Sequence, residues 1–381
     1  MEAYDPATQV AAPAPPDTRA SRPTDLIALE LLLRSVRPVT DAENDDAIDG
    51  ILASGYVDWD RVGRLARAHG VLPLLYRTLR TREQRLVPEA QLAALQQDFH
   101  RMSMLVHLQT SALCRLLDAL DERNISSLIL KGIPLGRLAY GNPIWRKPGD
   151  IDLLIQPQAY PVVCEVLNAM GLRAELTGEE ADQELRWKKQ MTFRGEPSDV
   201  DVHLSLEQSS FLRIAYSSGV DDQQFWARSR WVSVGDRDVR ALGPEDLFCF
   251  LCIHSAKHAW YLLFMTLDLA AYVANNPIDW NRVSELARTL RAERFVAISL
   301  LLAHRLCGLE LPAPWAGLVD DRNLGALVDR IAGRMFDDRA PNHPIAFHLL
   351  QARILPGAIE KGRYLVNVCI EHVRRKRRAD A

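Results

Sequence analysis

Two aspartates, Asp150 and Asp152, stand two positions apart in the run Lys147-Pro-Gly-Asp-Ile-Asp-Leu-Leu-Ile155. A short Ile/Leu run of this kind reads as a strand, and side chains alternate across a strand. Asp150 and Asp152 therefore share one face, about 7 Å apart, while Ile151 and Leu153 point to the core. Two carboxylates so placed repel unless a cation lies between them. A hard divalent ion with oxygen ligands, Mg²⁺ or Mn²⁺, meets that need and keeps positions open for substrate phosphates. A third acid is expected on a neighbouring strand, and Val200-Asp-Val-His-Leu204 supplies Asp201. By parity Asp199 and His203 lie on the face of Asp201. Asp199, beside the turn, stands in reserve.

Upstream is Leu130-Lys-Gly-Ile-Pro134. A strand ends there, Gly132 permits close backbone approach, and a helix begins. Such a turn offers backbone N–H groups and a helix N-terminus to an anion, which suits a triphosphate. Lys131 adds a cation, and Arg146 can grip phosphate oxygens with two parallel hydrogen bonds. Downstream, Cys249-Phe-Leu-Cys252-Ile-His254-Ser-Ala-Lys257-His258 reads as helix. At about 100° per residue the two cysteines fall on one side and the two histidines nearly opposite, which opposes a single zinc site. His254, Lys257 and His258 form a polar face, solvated or bonded within the helical region.

These groups must be held by an ordered scaffold. Residues 1–24 are rich in Ala, Pro, Thr and Asp without an apolar period and read as a disordered tail. Residues 25–123 read as an N-terminal helical region. In it, Gln91 to Arg123 holds one or two helices with Leu105, Leu108, Ala112, Leu116 and Leu120 on one stripe. Residues 124–242 read as the catalytic core. Its expected strands are Ile125–Leu130, Asp150–Ile155, Trp187–Arg194 and Val200–Leu206. The last two form an antiparallel hairpin about Gly195-Glu-Pro-Ser198. Helices are expected over Pro134–Tyr140 and 158–170. From Gly243-Pro-Glu-Asp246 the chain is helical again, giving a C-terminal helical domain over 243–381. Helices beside a small mixed sheet predict an α+β fold.

The 381 residues carry 48% hydrophobic and 25% charged residues, with a net charge of -3. That balance builds an ordinary globular core and gives no global field for nucleic acid or anionic lipid. No stretch approaches the roughly 18 apolar residues of a membrane span, and the N-terminus lacks a secretory pattern. Six scattered cysteines fit buried thiols in a reducing cytoplasm. The basic run Arg374-Arg-Lys-Arg-Arg378 reads as a solvated helix end, with phosphate-rich partners as the alternative. The tryptophans read as packing anchors, with base stacking as a second role for Trp145.

The order glycine turn, Asp-x-Asp strand, flanked Asp strand resembles the polymerase-β-type nucleotidyltransferase superfamily. More narrowly, the chain resembles the bacterial uncharacterised nucleotidyltransferase family. The resemblance is carried by Leu130-Lys-Gly132, Tyr140-Gly141, Arg146 to Leu154, Val200-Asp201-Val-His203, His254 to His258 and Leu267-Asp-Leu269. Asp58-Trp-Asp-Arg61 and Ala68-His-Gly-Val-Leu-Pro-Leu-Leu75 add to it. The serine usual after the superfamily's glycine is Ile133 here, which removes a hydroxyl-to-phosphate contact. The resemblance implies transfer of a nucleoside monophosphate from an NTP to an acceptor hydroxyl, with release of pyrophosphate. Asp150, Asp152 and Asp201 are then the catalytic and metal-holding acids, for two ions. Lys131, Gly132, Arg146, His203, His254 and Lys257 form the nucleotide-binding set. Two alternatives stand beside this reading: transfer of a sugar from a nucleotide-sugar, and a non-catalytic nucleotide-binding scaffold. A small molecule, peptide or protein is the expected acceptor.

Overall fold

The computed structural model describes residues 23–82, 86–206, 222–337, 344–355 and 357–379. The expected disordered tail falls, except for its last two residues, outside the described residues. The chain begins with helices α1 (Pro23–Ser35), α2 (Ala42–Ala53), α3 (Trp59–Ala68), α4 (Leu72–Leu79) and α5 (Glu89–Asp121). Strand β1 (Ser127–Ile129), α6 (Ile133–Tyr140), β2 (Ile151–Ile155), α7 (Tyr160–Ala169), β3 (Arg173–Ala174) and α8 (Gly178–Lys188) follow. Then come β4 (Gln190–Arg194), β5 (Val200–His203), α9 (Asp222–Arg228), β6 (Arg230–Val234) and β7 (Arg237–Ala241). The C-terminal helices are α10 (Pro244–Lys257), α11 (Leu263–Asn275), α12 (Trp280–Thr289), α13 (Glu293–Cys307), α14 (Arg322–Met335), α15 (Pro344–Ile354) and α16 (Ala358–Ala379). The fold is α+β, as the sequence predicts.

The strands form one sheet in the order β3-β4-β5-β2-β1-β7-β6. β2 runs parallel to β5 and antiparallel to β1, while β4 and β5 make the expected antiparallel hairpin. The first hairpin strand is shorter than expected. Residues 187 and 188 finish α8, and Lys189 ends that helix in a left-handed conformation, φ 53°. The second strand stops at His203 rather than Leu206. Three strands, β3, β6 and β7, had no sequence counterpart. β6 and β7 mix Arg, Ser and Asp with one or two apolar residues at a time, so neither has the long apolar run that marks β2.

Each face of the sheet meets a different core. Ile129, Ile151, Leu153, Val200 and Val202 pack on α7 and on the second half of α5. Leu128, Leu130 and Leu154 face the opposite way, into a larger core shared by the N-terminal helices and the C-terminal helices. Helix α5, 33 residues long and hence about 50 Å, enters both cores. It is one continuous helix. Its buried stripe runs through Val106, Gln109, Leu113, Leu116 and Leu120, whereas Leu105 and Leu108 are exposed. The expected stripe was thus rotated at its N-terminal end, because buried Gln109 carries the face where a leucine was sought.

Aspartates set several helix starts. Asp58 caps α3 by accepting from Arg61 N, and Asp279 and Asp321 cap α12 and α14 in the same way. Among the described residues no helix is long and apolar enough to cross a membrane.

Leu153 is fully buried on the core side of β2. Leu153→Ala should lower stability by about 2–5 kcal/mol through lost burial and a residual cavity. Denaturant midpoints of the two proteins measure this.

Candidate active site

Register brings the chemistry together. Asp152 on β2 lies directly beside Asp201 on β5, and Thr192 on β4 lies beside Asp201 in turn. Neighbouring residues on adjacent strands share a face, so the two acids project side by side, their strands about 4.8 Å apart. His203, two residues beyond Asp201, lies on the same face. All three are sealed from water: Asp152 is 3% exposed, Asp201 4% and His203 2%.

Each carboxylate has a defined set of contacts. Lys131 Nζ lies 2.7 Å from Asp152 Oδ2, and His203 Nε2 lies 3.2 Å from Asp152 Oδ1. Thr192 Oγ1 donates to Asp201 Oδ1 at 2.6 Å. Burial alone would raise the Asp152 carboxyl, but Lys131 and His203 outweigh it and hold the group well below the usual carboxylate range. Burial alone would likewise lower Lys131, yet Asp152 keeps that ammonium above an ordinary lysine. Both stay charged at neutral pH.

Lys131 reaches Asp152 because of the turn that follows β1. Leu130 N still donates to Asp152 O at 3.0 Å, so the ladder continues past the last strand residue. Gly132 then adopts φ 74°, ψ -128°, which glycine alone enters readily, and starts α6. A Cβ at Gly132 would sit 3.6 Å from Asp150 O, so the turn lies against the backbone just ahead of the acid pair.

Asp150 is placed differently from its expected partner. It precedes β2 by one residue and reaches solvent, so it stands at the mouth of the buried pair. Removal of part of its water, then repulsion by Asp201, Asp152 and Asp199, outweighs Lys131 and pushes its carboxyl up to about 6. Asp199, the reserve candidate, is committed elsewhere. Its Oδ2 accepts from Arg194 Nη1 at 2.5 Å and its Oδ1 from Gly195 N at 3.1 Å, which pins the β4–β5 turn.

Arg146 lies close enough to affect both Lys131 and His254. Its Nε donates to Asp268 Oδ2 at 2.8 Å, and Tyr140 Oη donates to Asp268 Oδ1 at 2.9 Å. Asp268 is 3% exposed on α11. The sequence signal for Asp268 is an acid inside the apolar helical run Leu267-Asp-Leu269, a signal that by itself assigns it no partner. Burial first, then Asp268, raises the Tyr140 hydroxyl well above its ordinary value, so it stays a donor. Gln109 was also missed. Its Nε2 donates to Gly149 O and to Ser198 Oγ, tying the residue before Asp150 to the β4–β5 turn.

Helix α10 turns its histidines toward these groups. Burial, then Lys131, His258, Lys257 and Arg146, depress His254 well below an ordinary histidine. Burial, then Lys257 and Lys131, push His258 down to about 3. The two rings, 4.8 Å apart, are therefore neutral at physiological pH, and Lys257 follows in the last turn of the same helix. Cys249 and Cys252 are fully buried in the helical core. Trp145 stacks on Phe99 at 5.0 Å with the Arg80 guanidinium 5.3 Å from its ring, which commits it to packing rather than to a base. His69 and Gly70 serve assembly too: His69 O accepts from Phe264 N at the start of α11.

Asp152, Asp201 and His203 each offer one ligand atom, all within 4.8 Å of one another. Among the described residues they are the one His/Cys/Asp/Glu group so disposed. His203 Nδ1 is buried without a hydrogen-bond partner among those residues, and Asp201 pairs with no cation there. This donor set fits a divalent cation.

A mixed sheet with a glycine turn feeding a helix, and paired acids on adjacent strands, defines a nucleotidyltransferase-type core. The chain belongs to the family described as uncharacterised nucleotidyltransferase, whose family model matches residues 56–308, and it is a transferase of that class. No curated protein matches the chain. Two solved structures are similar to part of the chain. One is the crystal structure of ANT(2")-Ia in complex with adenylyl-2"-tobramycin, 15% identical, covering 48% of this chain and 97% of that one, TM-score 0.33. The other is the solution structure of the antibiotic-resistance factor ANT(2'')-Ia, 14% identical, covering 51% of this chain and 97% of that one, TM-score 0.36.

Two measurements follow from these electrostatics. A carboxyl raised to about 6 against about 3.9 in the unfolded chain makes its charge unfavourable to the fold above pH 6. Asp150→Asn should therefore raise the Tm in EDTA at pH 8, with the gain fading as pH falls from about 6 toward about 4. Asp268→Ala leaves the Arg146 charge buried without its partner and should cost about 3–5 kcal/mol in urea denaturation.

Proposed function

We propose that the protein transfers a nucleoside monophosphate from an NTP to an acceptor hydroxyl and releases pyrophosphate. The observation that carries this reading is the side-by-side burial of Asp152 and Asp201 beside a glycine turn and Lys131. Membership of a nucleotidyltransferase family supports it.

Asp152 and Asp201 would hold Mg²⁺ or Mn²⁺, and Asp150 would contribute from the mouth, for two ions in all. Bound there, the metal neutralises phosphate charge and acidifies the acceptor hydroxyl. Asp201 is the base that receives the hydroxyl proton. The acceptor oxygen forms a bond to the α-phosphorus while the bond from that phosphorus to the bridging oxygen breaks, and pyrophosphate leaves. Lys131 and Arg146 face the charge that grows on the leaving phosphates. Asp268 and Tyr140 keep the Arg146 guanidinium in one orientation. Gly132 and the N-terminus of α6 receive the phosphate chain. Neutral His254 and His258, with Lys257, line the helical side, where imidazoles act as hydrogen-bonding groups rather than as cations. The acceptor is a small molecule, peptide or protein, and the protein works in the cytoplasm.

Purified protein incubated with labelled NTPs and Mg²⁺ or Mn²⁺ should release pyrophosphate and add a nucleoside monophosphate mass to an acceptor. Asp201→Asn should lower the rate at least about a hundredfold. A hexose mass on the acceptor, or pyrophosphate release unchanged in Asp201→Asn, overturns the reading.

A further inference from the structure

The ligand set on the acid face is not the all-oxygen set that the sequence suggests. Asp150 lies outside the tight group, and His203 lies inside it. We propose that His203 is an inner ligand of the catalytic metal, through Nε2, and that it makes this site select a first-row transition ion such as Mn²⁺ over Mg²⁺. The proposal rests on the metal-dependent transfer reading and deepens it by naming the ion class.

Three observations carry it. The first is position. His203 follows Asp201 by two residues on β5, so both side chains leave the same face of the sheet. The ligand atoms of Asp152, Asp201 and His203 lie within 4.8 Å of one another, compatible with one ion bound at about 2.1–2.4 Å from each.

The second is distance. His203 Nε2 and Asp152 Oδ1 are 3.2 Å apart. A charge-assisted N–H···O bond contracts to about 2.7–2.9 Å. Adjacent ligands on an octahedral ion at about 2.1 Å lie about 3 Å from each other. The spacing fits two neighbouring ligands, and the same 3.2 Å also lies within the range of an N–H···O bond from the imidazole to Asp152.

The third is accounting. Asp152 already has the Lys131 ammonium at 2.7 Å, so it has no need of a proton from His203. Asp201 is 4% exposed and accepts from Thr192, a neutral hydroxyl, with no cation paired to it among the described residues. A histidine buried for packing alone spends both ring nitrogens on partners. Here Nδ1 has none among the described residues, and Nε2 points at an acid. A divalent cation between the three groups supplies the missing positive charge and gives Nε2 a ligand's task.

Imidazole nitrogen then sets the preference. Mg²⁺ demands oxygen ligands in a near-ideal octahedron, whereas first-row transition ions accept nitrogen beside carboxylate. Such an ion matches two carboxylates plus one imidazole, with remaining positions for phosphate oxygens.

The test uses the full-length protein and Mn²⁺ alone. Electron spin-echo envelope modulation of bound Mn²⁺ should show coupling to an imidazole ¹⁴N, and the pattern should change in protein grown with ¹⁵N-histidine. His203→Gln should abolish it and weaken Mn²⁺ binding at least about tenfold. Mg²⁺ should displace Mn²⁺ poorly from the wild type and more readily from His203→Gln. Mn²⁺ bound to the wild type without nitrogen coupling overturns the assignment, whether or not the variant folds. In that case metal-dependent nucleotidyl transfer still stands. Nitrogen coupling without any transfer from an NTP would instead overturn the transfer reading and leave the ligand assignment intact.

Discussion

Asp152 and Asp201 are held side by side on parallel strands, each almost excluded from water. At about 5 Å, in an effective dielectric of about 20, two unit charges repel by about 3 kcal/mol. The fold places them there through core packing on the opposite face. Ile151, Leu153, Val200 and Val202 are buried against α5 and α7, and parity leaves the aspartates no other direction. Much of the surrounding chemistry answers that imposed negative charge. Lys131 is drawn to one carboxylate, Thr192 hydrogen-bonds the other, and His203 turns its Nε2 toward the pair.

Positive charge near the pair is rationed as carefully. Arg146 is the second strong cation of the region, and Asp268 holds its Nε rather than leaving it to collapse onto Asp152. Tyr140 binds the other oxygen of Asp268, so that carboxylate is engaged at both ends. His254 and His258 are kept neutral by burial and by Lys131 and Lys257, with Arg146 adding to the effect on His254. Asp150, at the mouth, has its carboxyl raised to about 6 by partial burial and by its acidic neighbours.

The helical parts matter because they close that face. The first four helices and the C-terminal helices share one core with Leu128, Leu130 and Leu154 of the sheet. His69 anchors the start of α11 through Phe264, and α11 in turn carries Asp268. Residues that resembled a family signature far from the acids therefore act through assembly. Asp58 caps α3, and His69 seats α11. Trp145, beside Arg146 in sequence, fixes its stretch of chain by stacking on Phe99.

The strand runs, the glycine turn and the presence of acids on two neighbouring strands were legible from sequence because they are local. Apolar alternation marks a strand whatever surrounds it, and Gly132 marks a turn because few other residues tolerate its conformation. Strands β6 and β7 were not read because polar residues interrupt any long apolar run; they pair with each other across the short turn Gly235-Asp236, whereas the pairing of β7 with β1 depends on distant chain. Long-range charge partners were equally hidden. Arg194 claims Asp199 across the β4–β5 turn, but nothing near Arg146 says that it will meet an acid from a helix more than a hundred positions away. Sequence alone determined that Asp152 and Asp201 would sit on buried strands with polar faces. Tertiary structure decided that Asp150 stands at the mouth and His203 inside, because strand register sets which side chains become neighbours across the sheet.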